Sequence, residues 1–522
     1  MVARATIHKT DNFIIADNIS YEPRAGFPIF KNLSLSLYNE KSGLVGKNGS
    51  GKTTLLKLLV QELEPTEGRI YRRGTISYLP QDYQLDLSQT VSEALELEKS
   101  SDYGIKDKAN KHFENLNFKD VDFSRKLETL SGGERMKVII VKLLISNADF
   151  LILDEPTNNL DRSSREAVYE LIKGWNNGLL VVSHDRELLN LLDQIFELTE
   201  KGLNLYGGNY DSYKAQKELE MSAIKRDLIT AREDLKKTKK QAQRTKEKQE
   251  KRSAAGKKYR ETGSQSKIIL NTMRQWAEKT SSRLKKLHKE RMEEAENKFR
   301  EVKEKISPEN KINVDLSATS VPRGKLVVNM ENVHFSYPDR MLFNNFNLTI
   351  HGPERIVIKG PNGSGKTTLV KLIFGELKPS AGEIYVGVER RAYLDQSTAI
   401  LEGQKTLIEN VKAISKLEDA EARVWLARFL FRGGTAFKKA EMLSGGERMR
   451  AALACILAGN EPPQFMVLDE PTNNLDLDSI ERIESALLNF KGTLIVISHD
   501  NKFLDNIGVN REINLEKLSK QV

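Results

Sequence analysis

Apolar residues fall into short unbroken runs, such as Phe150–Leu153, Leu179–Val182 and Ile356–Ile358, set among polar turns and helical patterns. Runs this short, bounded by turns, read as strands buried on both faces. Strands alternating with helices predict an α/β fold with a mostly parallel sheet. A different pattern fills the middle of the chain, from about Tyr213 to Ile306. There Ile224, Leu228, Ala231, Leu235, Thr238 and Ala242 recur at spacings of four and three, and Ala295, Phe299, Val302 and Ile306 do the same farther on. Such spacing lays one apolar stripe along each of two helices and predicts a coiled coil. The pattern breaks at Ser253-Ala254-Ala255-Gly256 and again near Gly263-Ser264, so an antiparallel helical hairpin with its tip at about 253–267 is expected. Pro308 and Pro322 mark residues 307–324 as a connector.

The flanking α/β stretches are copies of each other. Gly46-Lys47-Asn48-Gly49-Ser50-Gly51-Lys52-Thr53-Thr54 returns as Gly360-Pro361-Asn362-Gly363-Ser364-Gly365-Lys366-Thr367-Thr368. Leu130-Ser131-Gly132-Gly133-Glu134 returns as Leu443-Ser444-Gly445-Gly446-Glu447. Leu153 to Asp161 returns as Leu468 to Asp476, and Ser183-His184-Asp185 as Ser498-His499-Asp500. Offsets of 314, 313, 315 and 315 describe one duplicated domain, with a period far too long for a solenoid. The expected domains are 1–212 and 325–522, separated by the hairpin at 213–306 and the connector.

Gly-x-x-x-x-Gly-Lys-Thr after an apolar run and before a helix is the phosphate-binding P-loop. Its glycines let backbone N–H groups curl around a phosphate, the lysine reaches the β/γ-phosphates, and the threonine hydroxyl holds Mg²⁺. Lys52 with Thr53, and Lys366 with Thr367, take those parts. The apolar runs ending in Asp154-Glu155 and Asp469-Glu470 supply the other half of the chemistry. An aspartate at a strand end can organise Mg²⁺, and the adjacent glutamate can polarise a water against the γ-phosphate.

Leu-Ser-Gly-Gly-Glu, 19 residues before Asp-Glu-Pro in the first copy and 21 in the second, separates this chain from a generic P-loop protein. Here both copies resemble ATP-binding cassettes. The resemblance implies that Ser131, Gly132 and Gly133, and Ser444, Gly445 and Gly446, sit at helix N-termini and bind the γ-phosphate of ATP held by the opposite cassette, for which a helix N-terminus is suited. It implies that Gln81 and Gln396 sense Mg²⁺ and water, that His184 and His499 contact the γ-phosphate, and that Asp161 and Asp476 lie on the loops crossing between cassettes. It also implies that Tyr21 and Tyr337 stack on adenine. Each ATP site would then be composite, and one chain would close over two ATP molecules as a monomer.

Charge is what narrows the kind of cassette protein. Net charge is +9, yet Lys214 to Ile306 holds 29 Lys and Arg against 15 Asp and Glu, leaving 53 against 58 elsewhere. One segment carries the whole positive excess, which points to a polyanionic partner there. Two cassettes joined by a long basic hairpin, opened by Tyr206-Gly207-Gly208-Asn209-Tyr210-Asp211-Ser212-Tyr213, resemble the ABC-F family of ribosome-associated ATPases. The resemblance implies ribosome binding through rRNA, with the linker reaching toward the peptidyl-transferase centre and P-site tRNA. Lys257, Lys258 and Arg260 around Tyr259 mix phosphate-binding charge with a stackable ring at the expected tip. The similar spacing of Gln81 to Leu130 and Gln396 to Leu443 leaves no room for a sizeable inserted arm, which is more like the antibiotic-resistance members. Both copies read Asn-Asn-Leu-Asp where the family commonly has Asn-His-Leu-Asp.

Composition trims the alternatives. A single cysteine, Cys455, excludes a disulfide framework and Cys-based metal centres, and with them the zinc-dependent two-cassette repair proteins. Both cassettes are contiguous, unlike those split by a coiled coil in cohesin-like ATPases. No run of 18 apolar residues and no apolar signal region is present, so a cytoplasmic protein without membrane contact is expected. The ATPase subunit of a transporter with separate membrane subunits stays open.

Overall fold

The structure, a computed structural model, describes the chain except residues 1–12, 25, 82, 84, 100–103, 117, 119, 159, 262–266, 306–311, 313, 339, 460 and 516–522. Side chains are also outside the description at 13, 99, 249, 253, 256, 257, 259–261, 267–274, 277, 278, 280, 281, 284, 285, 304 and 305. The chain divides into two compact units, Met1–Asp211 with Asn310–Val522, and Ser212–Glu309.

The first repeat runs β1 (Phe13–Tyr21), β2 (Phe30–Leu37), β3 (Lys41–Gly46), α1 (Lys52–Leu59), β4 (Glu67–Arg73), β5 (Ile76–Leu79), α2 (Val91–Ala94), α3 (Ile105–Asn115) and α4 (Gly132–Ile145). It continues with β6 (Phe150–Asp154), α5 (Arg162–Gly174), β7 (Gly178–Val182), α6 (Arg186–Leu189), β8 (Gln194–Thr199) and β9 (Gly202–Gly207). The order β5-β6-β7-β3-β8-β9 is parallel apart from the antiparallel pair β8·β9. β6 and β7 are buried at every position, which is why they read as unbroken apolar runs. A second, antiparallel sheet, β2-β1-β4, packs Ile14, Ile19, Leu33 and Leu35 with Leu55 and Leu56 of α1.

Two long helices follow, α7 (Tyr210–Glu261) and α8 (Lys267–Lys305). At 52 residues α7 is about 78 Å long. Its expected break at Ser253-Ala254-Ala255-Gly256 does not occur: the helix runs through all four residues. One glycine costs only about 1 kcal/mol in a helix, and the alanines and lysines around it are strong helix formers. The second expected break, near Gly263-Ser264, lies outside the described residues. Within this unit Ile224, Leu228, Ala231, Leu235, Thr238 and Ala242 are the less exposed positions of α7, with Ala231 buried, and Ala295, Phe299 and Val302 are likewise less exposed along α8. Lys239 of α7 pairs with Glu296 of α8 at 3.0 Å.

The second repeat has β10 (Lys325–Tyr337), β11 (Arg340–Gly352), β12 (Arg355–Lys359), α9 (Lys366–Phe374), β13 (Ala381–Val386), β14 (Arg391–Leu394), α10 (Leu407–Ser415), α11 (Asp419–Arg428) and α12 (Gly445–Ile456). After these come β15 (Phe465–Asp469), α13 (Leu477–Leu488), β16 (Thr493–Ile497), α14 (Asn501–Asn506) and β17 (Arg511–Asn514). Its parallel sheet, β14-β15-β16-β12-β17, repeats the strand order of the first, and β11-β10-β13 matches β2-β1-β4. The connector is not a bare tether. Ile312, Val314 and Leu316 are buried with α12 and α13, and Val321 is buried against the β10–β11 layer. Among the described residues no helix is long and apolar enough to cross a membrane.

Candidate ATP sites

Each P-loop links a central strand to a helix, β3 to α1 and β12 to α9. The turn requires backbone that only glycine adopts freely: Gly51 and Gly365 both have φ of 95°. A Cβ at Gly51 would also lie 2.5 Å from Ile29. The Lys52 ammonium donates to the carbonyls of Gly46 (2.8 Å) and Lys47 (3.2 Å), and Lys366 to those of Gly360 (2.7 Å) and Pro361 (3.0 Å). Burial lowers the pKa of both lysines against the pull of nearby carboxylates.

Asp154 and Asp469 end β6 and β15 beside these loops. Thr367 Oγ1 donates to Asp469 Oδ2 at 3.1 Å, so two of the metal candidates of the second site touch. The next residues, Glu155 and Glu470, have left-handed backbone, φ 50° and 48°, with their N–H groups donated to Val182 and Ile497. That conformation is strained for glutamate, and strain of this kind gathers at functional sites. Burial drives both carboxyls up, Glu470 to about 7, and Lys52 opposes the rise at Glu155. At Glu470 the largest opposing charge is Arg165, contributed by the first repeat, ahead of Lys366.

His184 Nε2 lies 3.3 Å from Glu155, and His499 Nε2 lies 3.6 Å from Glu470. Burial lowers the imidazoles to about 3 and about 4, so both are neutral at physiological pH and the contacts are not ion pairs. Gln81 borders the first site, and Gln396 is exposed.

The repeats meet at these sites. The Asn48 backbone N–H donates to Asp476 at 3.0 Å, and its side chain donates to the Asn474 carbonyl. In the mirror contact Asp161 accepts from the backbone N–H of Asn362. A pocket of about 370 Å³ is lined by Gly49, Lys52, Thr53, Thr54, Glu155 and His184 of the first repeat together with Asn474 of the second. The crossing contacts thus come from the Asp161 and Asp476 loops. The signature serines are instead occupied as helix caps: Ser131 accepts from the N–H of Glu134, and Ser444 from that of Glu447. Gly132 has open space beside it, and Gly445 lies next to the Asn474 carbonyl. Gly133 and Gly446 have a packing reason, since a Cβ there would come within 2.9 Å of Ser164 and 2.3 Å of Ser479.

The two tyrosines differ. Tyr337 is exposed and its hydroxyl lies 3.5 Å from Thr368 Oγ1. Tyr21 packs on Phe30, and it is Ile29 that borders the first pocket. Of the basic tip residues, Lys258 is exposed, and the side chains of Lys257, Tyr259 and Arg260 lie outside the described residues. Sequence reasoning missed Arg165, the buried ion pair of Arg186 with Glu484 across the repeats (2.6 Å), and Tyr393, which donates to Asp469 at 3.2 Å. Tyr78 and Tyr393 did carry a signal: each stands three residues before its glutamine, at the 315-residue offset.

The donor set suits a magnesium nucleotide: ammonium, loop N–H groups, and a paired hydroxyl and carboxylate beside a buried glutamate whose Oε2 has no hydrogen-bond partner in the second site. The ABC transporter family matches residues 30–158 and 343–473. The ATP-binding protein Uup of Haemophilus influenzae is 31% identical over 90% of this chain and 73% of its own length. ABC transporter F family member 5 of Arabidopsis thaliana is 30% identical over 91% and 71%, and the ribosome protection protein VmlR of Bacillus subtilis 30% over 95% and 87%. An archaeal ribosome recycling factor, aABCE1, solved with stalk protein aP1, shares the fold at 20% identity with a TM-score of 0.60, over 95% of this chain and 87% of that one. Relatives of this kind match across the repeats and the helices between them, and the chain therefore belongs to the ABC-F family and is an ABC-type ATP hydrolase.

Proposed function

We propose that the protein binds the ribosome and couples ATP-driven closure of its two cassettes to movement of the helical segment near the peptidyl-transferase centre. The observation that carries this reading is the concentration of the positive excess in Lys214–Ile306, within two long helices between paired cassettes. The exposure pattern of α7 and α8 and the Lys239–Glu296 pair support an antiparallel coiled-coil hairpin over 213–306. The name of the relative VmlR supports a ribosomal partner and a role as translation factor or antibiotic ribosomal-protection protein. The hairpin meets rRNA and the acceptor end of P-site tRNA through Lys257, Lys258, Tyr259 and Arg260. The protein works as a cytoplasmic monomer.

At each site the P-loop holds the phosphates, and the signature of the opposite cassette completes the pocket on closure. Thr53, Asp154 and Gln81, and Thr367, Asp469 and Gln396, hold Mg²⁺, which neutralises phosphate charge when bound. Glu155 and Glu470 accept the proton of the attacking water. Their raised pKa gives a carboxylate useful basicity near neutral pH. The neutral His184 and His499 orient the γ-phosphate. Tyr21 and Tyr337 face adenine.

Sedimentation of lysate containing the Glu155→Gln/Glu470→Gln protein with ATP tests the partner. The reading expects it in ribosomal fractions, released by high salt because phosphate contacts depend on counterion release. Sedimentation with membranes would assign it to a transporter instead.

A further inference from the structure

Asp469 has two donors on one oxygen. Thr367 Oγ1 approaches Oδ2 at 3.1 Å and the Tyr393 hydroxyl at 3.2 Å. A threonine hydroxyl that turns to a metal ion leaves the carboxylate, and the tyrosine is then the donor that remains. Tyr393 is built to stay. It stands on β14, the strand beside β15, and its ring packs on Phe374 at 5.6 Å. Phe374 is stacked on Phe465 at 6.0 Å and covered by the Arg391 guanidinium at 5.7 Å.

The first repeat has the same tyrosine without the same arrangement. Tyr78 occupies the matching place on β5 beside β6, yet its hydroxyl is buried with no hydrogen-bond partner. In P-loop register the counterpart of Phe374 is Val60, too small to brace a ring as the phenylalanine does. Tyr78 also borders a cavity of about 380 Å³ with Tyr83, Leu95, Ile139 and Leu143.

We propose that Tyr393 is a positioning residue of the second ATP site: braced by Phe374, it fixes the Asp469 carboxylate for Mg²⁺ through a bond that the Tyr78 hydroxyl does not make in the first site. The proposal rests on the reading of Asp469 as the Mg²⁺-organising carboxylate. Partners that orient a metal ligand in this way typically alter metal affinity 10- to 100-fold when removed.

The test uses the full chain with a non-hydrolysable ATP analogue and Mn²⁺, whose binding is read by electron paramagnetic resonance. Nucleotide affinity is measured separately in EDTA. Tyr393→Phe should split the two Mn²⁺ sites into distinct classes, one as in wild type and one about 10-fold poorer, with nucleotide affinity in EDTA unchanged. Tyr78→Phe should leave both Mn²⁺ sites within about twofold, as expected for a hydroxyl with no bond to lose. Phe374→Val should reproduce part of the Tyr393→Phe loss. Equal Mn²⁺ affinity in Tyr393→Phe and wild type overturns the proposal, as does an equal loss from Tyr78→Phe or a parallel loss of affinity in EDTA. Asp469→Asn separates the two levels: if it leaves Mn²⁺ binding intact, the underlying reading of Asp469 fails as well.

Discussion

The two ATP sites are built from the same motifs and differ in what stands behind them. Lys52 and Lys366, Glu155 and Glu470, and His184 and His499 repeat in type, order and geometry. Their supports do not. Site two faces Arg165 from the other cassette, where the 315-residue offset puts Ile480 opposite site one. Its aspartate is gripped by Tyr393, and its tyrosine is braced by Phe374 in place of Val60. Duplication kept the groups proposed to meet phosphate and water and let their surroundings diverge. Electrostatics and rigidity are therefore the terms in which the sites differ.

The largest effects should come from removing what the sites share. Glu155→Gln and Glu470→Gln together should lower ATP hydrolysis by about 10²-fold or more, the scale of a lost general base, while ATP still binds. Each single variant then exposes the other site, and identical residual rates in the two would erase the contrast. Next comes the cassette contact itself. Arg186 and Glu484 are both buried, so Arg186→Ala strands a buried carboxylate and should cost about 3–5 kcal/mol, read as a lower thermal transition. Arg186→Met with Glu484→Leu should recover most of it.

A smaller effect isolates Arg165. In the Glu155→Gln background only site two turns over, and Glu470 must be ionised to act. Its pKa is raised, so activity should rise with pH through the neutral range. Arg165→Ile removes the cation that holds that pKa down, so the acid limb should move to higher pH. In the Glu470→Gln background the same substitution should leave the limb of site one in place, and a shift there would show that Arg165 acts on the structure at large.

The smallest contrasts lie on α4 and α12, where Lys142 corresponds to Cys455. Lys142 forms an exposed pair with Glu96, so Lys142→Ala should change stability by less than about 1 kcal/mol. Cys455 is buried and its thiol is pushed up to about 12. Thiolate is scarce at pH 8, so a thiol reagent should label the folded protein far more slowly than the unfolded chain.

What was legible follows from how each feature is encoded. The P-loops, the Asp-Glu pairs and the signatures are contiguous in sequence, and each sits at the end of a strand or start of a helix that its own neighbours specify. The stripe on α7 was legible because its spacing is local. Tyr393 and Arg165 were not, because their roles depend on a neighbouring strand and on the other cassette. Gly133 illustrates a subtler miss: its place in the signature implied approach to a nucleotide, and it also makes room for Ser164. The expected break at Gly256 failed because a lone glycine is a weak stop inside a long run of helix formers.

The buried connector redraws the unit of inheritance. A second cassette excised at residue 325 would leave Ile312, Val314, Leu316 and Val321 behind. Full burial of such side chains stabilises by about 1.5–3 kcal/mol each, and four of them approach the whole net stability of a typical domain. A fragment cut there would be short of its own interior. The piece that evolution could move, or that an engineer could transplant, begins near residue 311, ahead of the first strand, and a recombination point placed at the strand would yield an insoluble product.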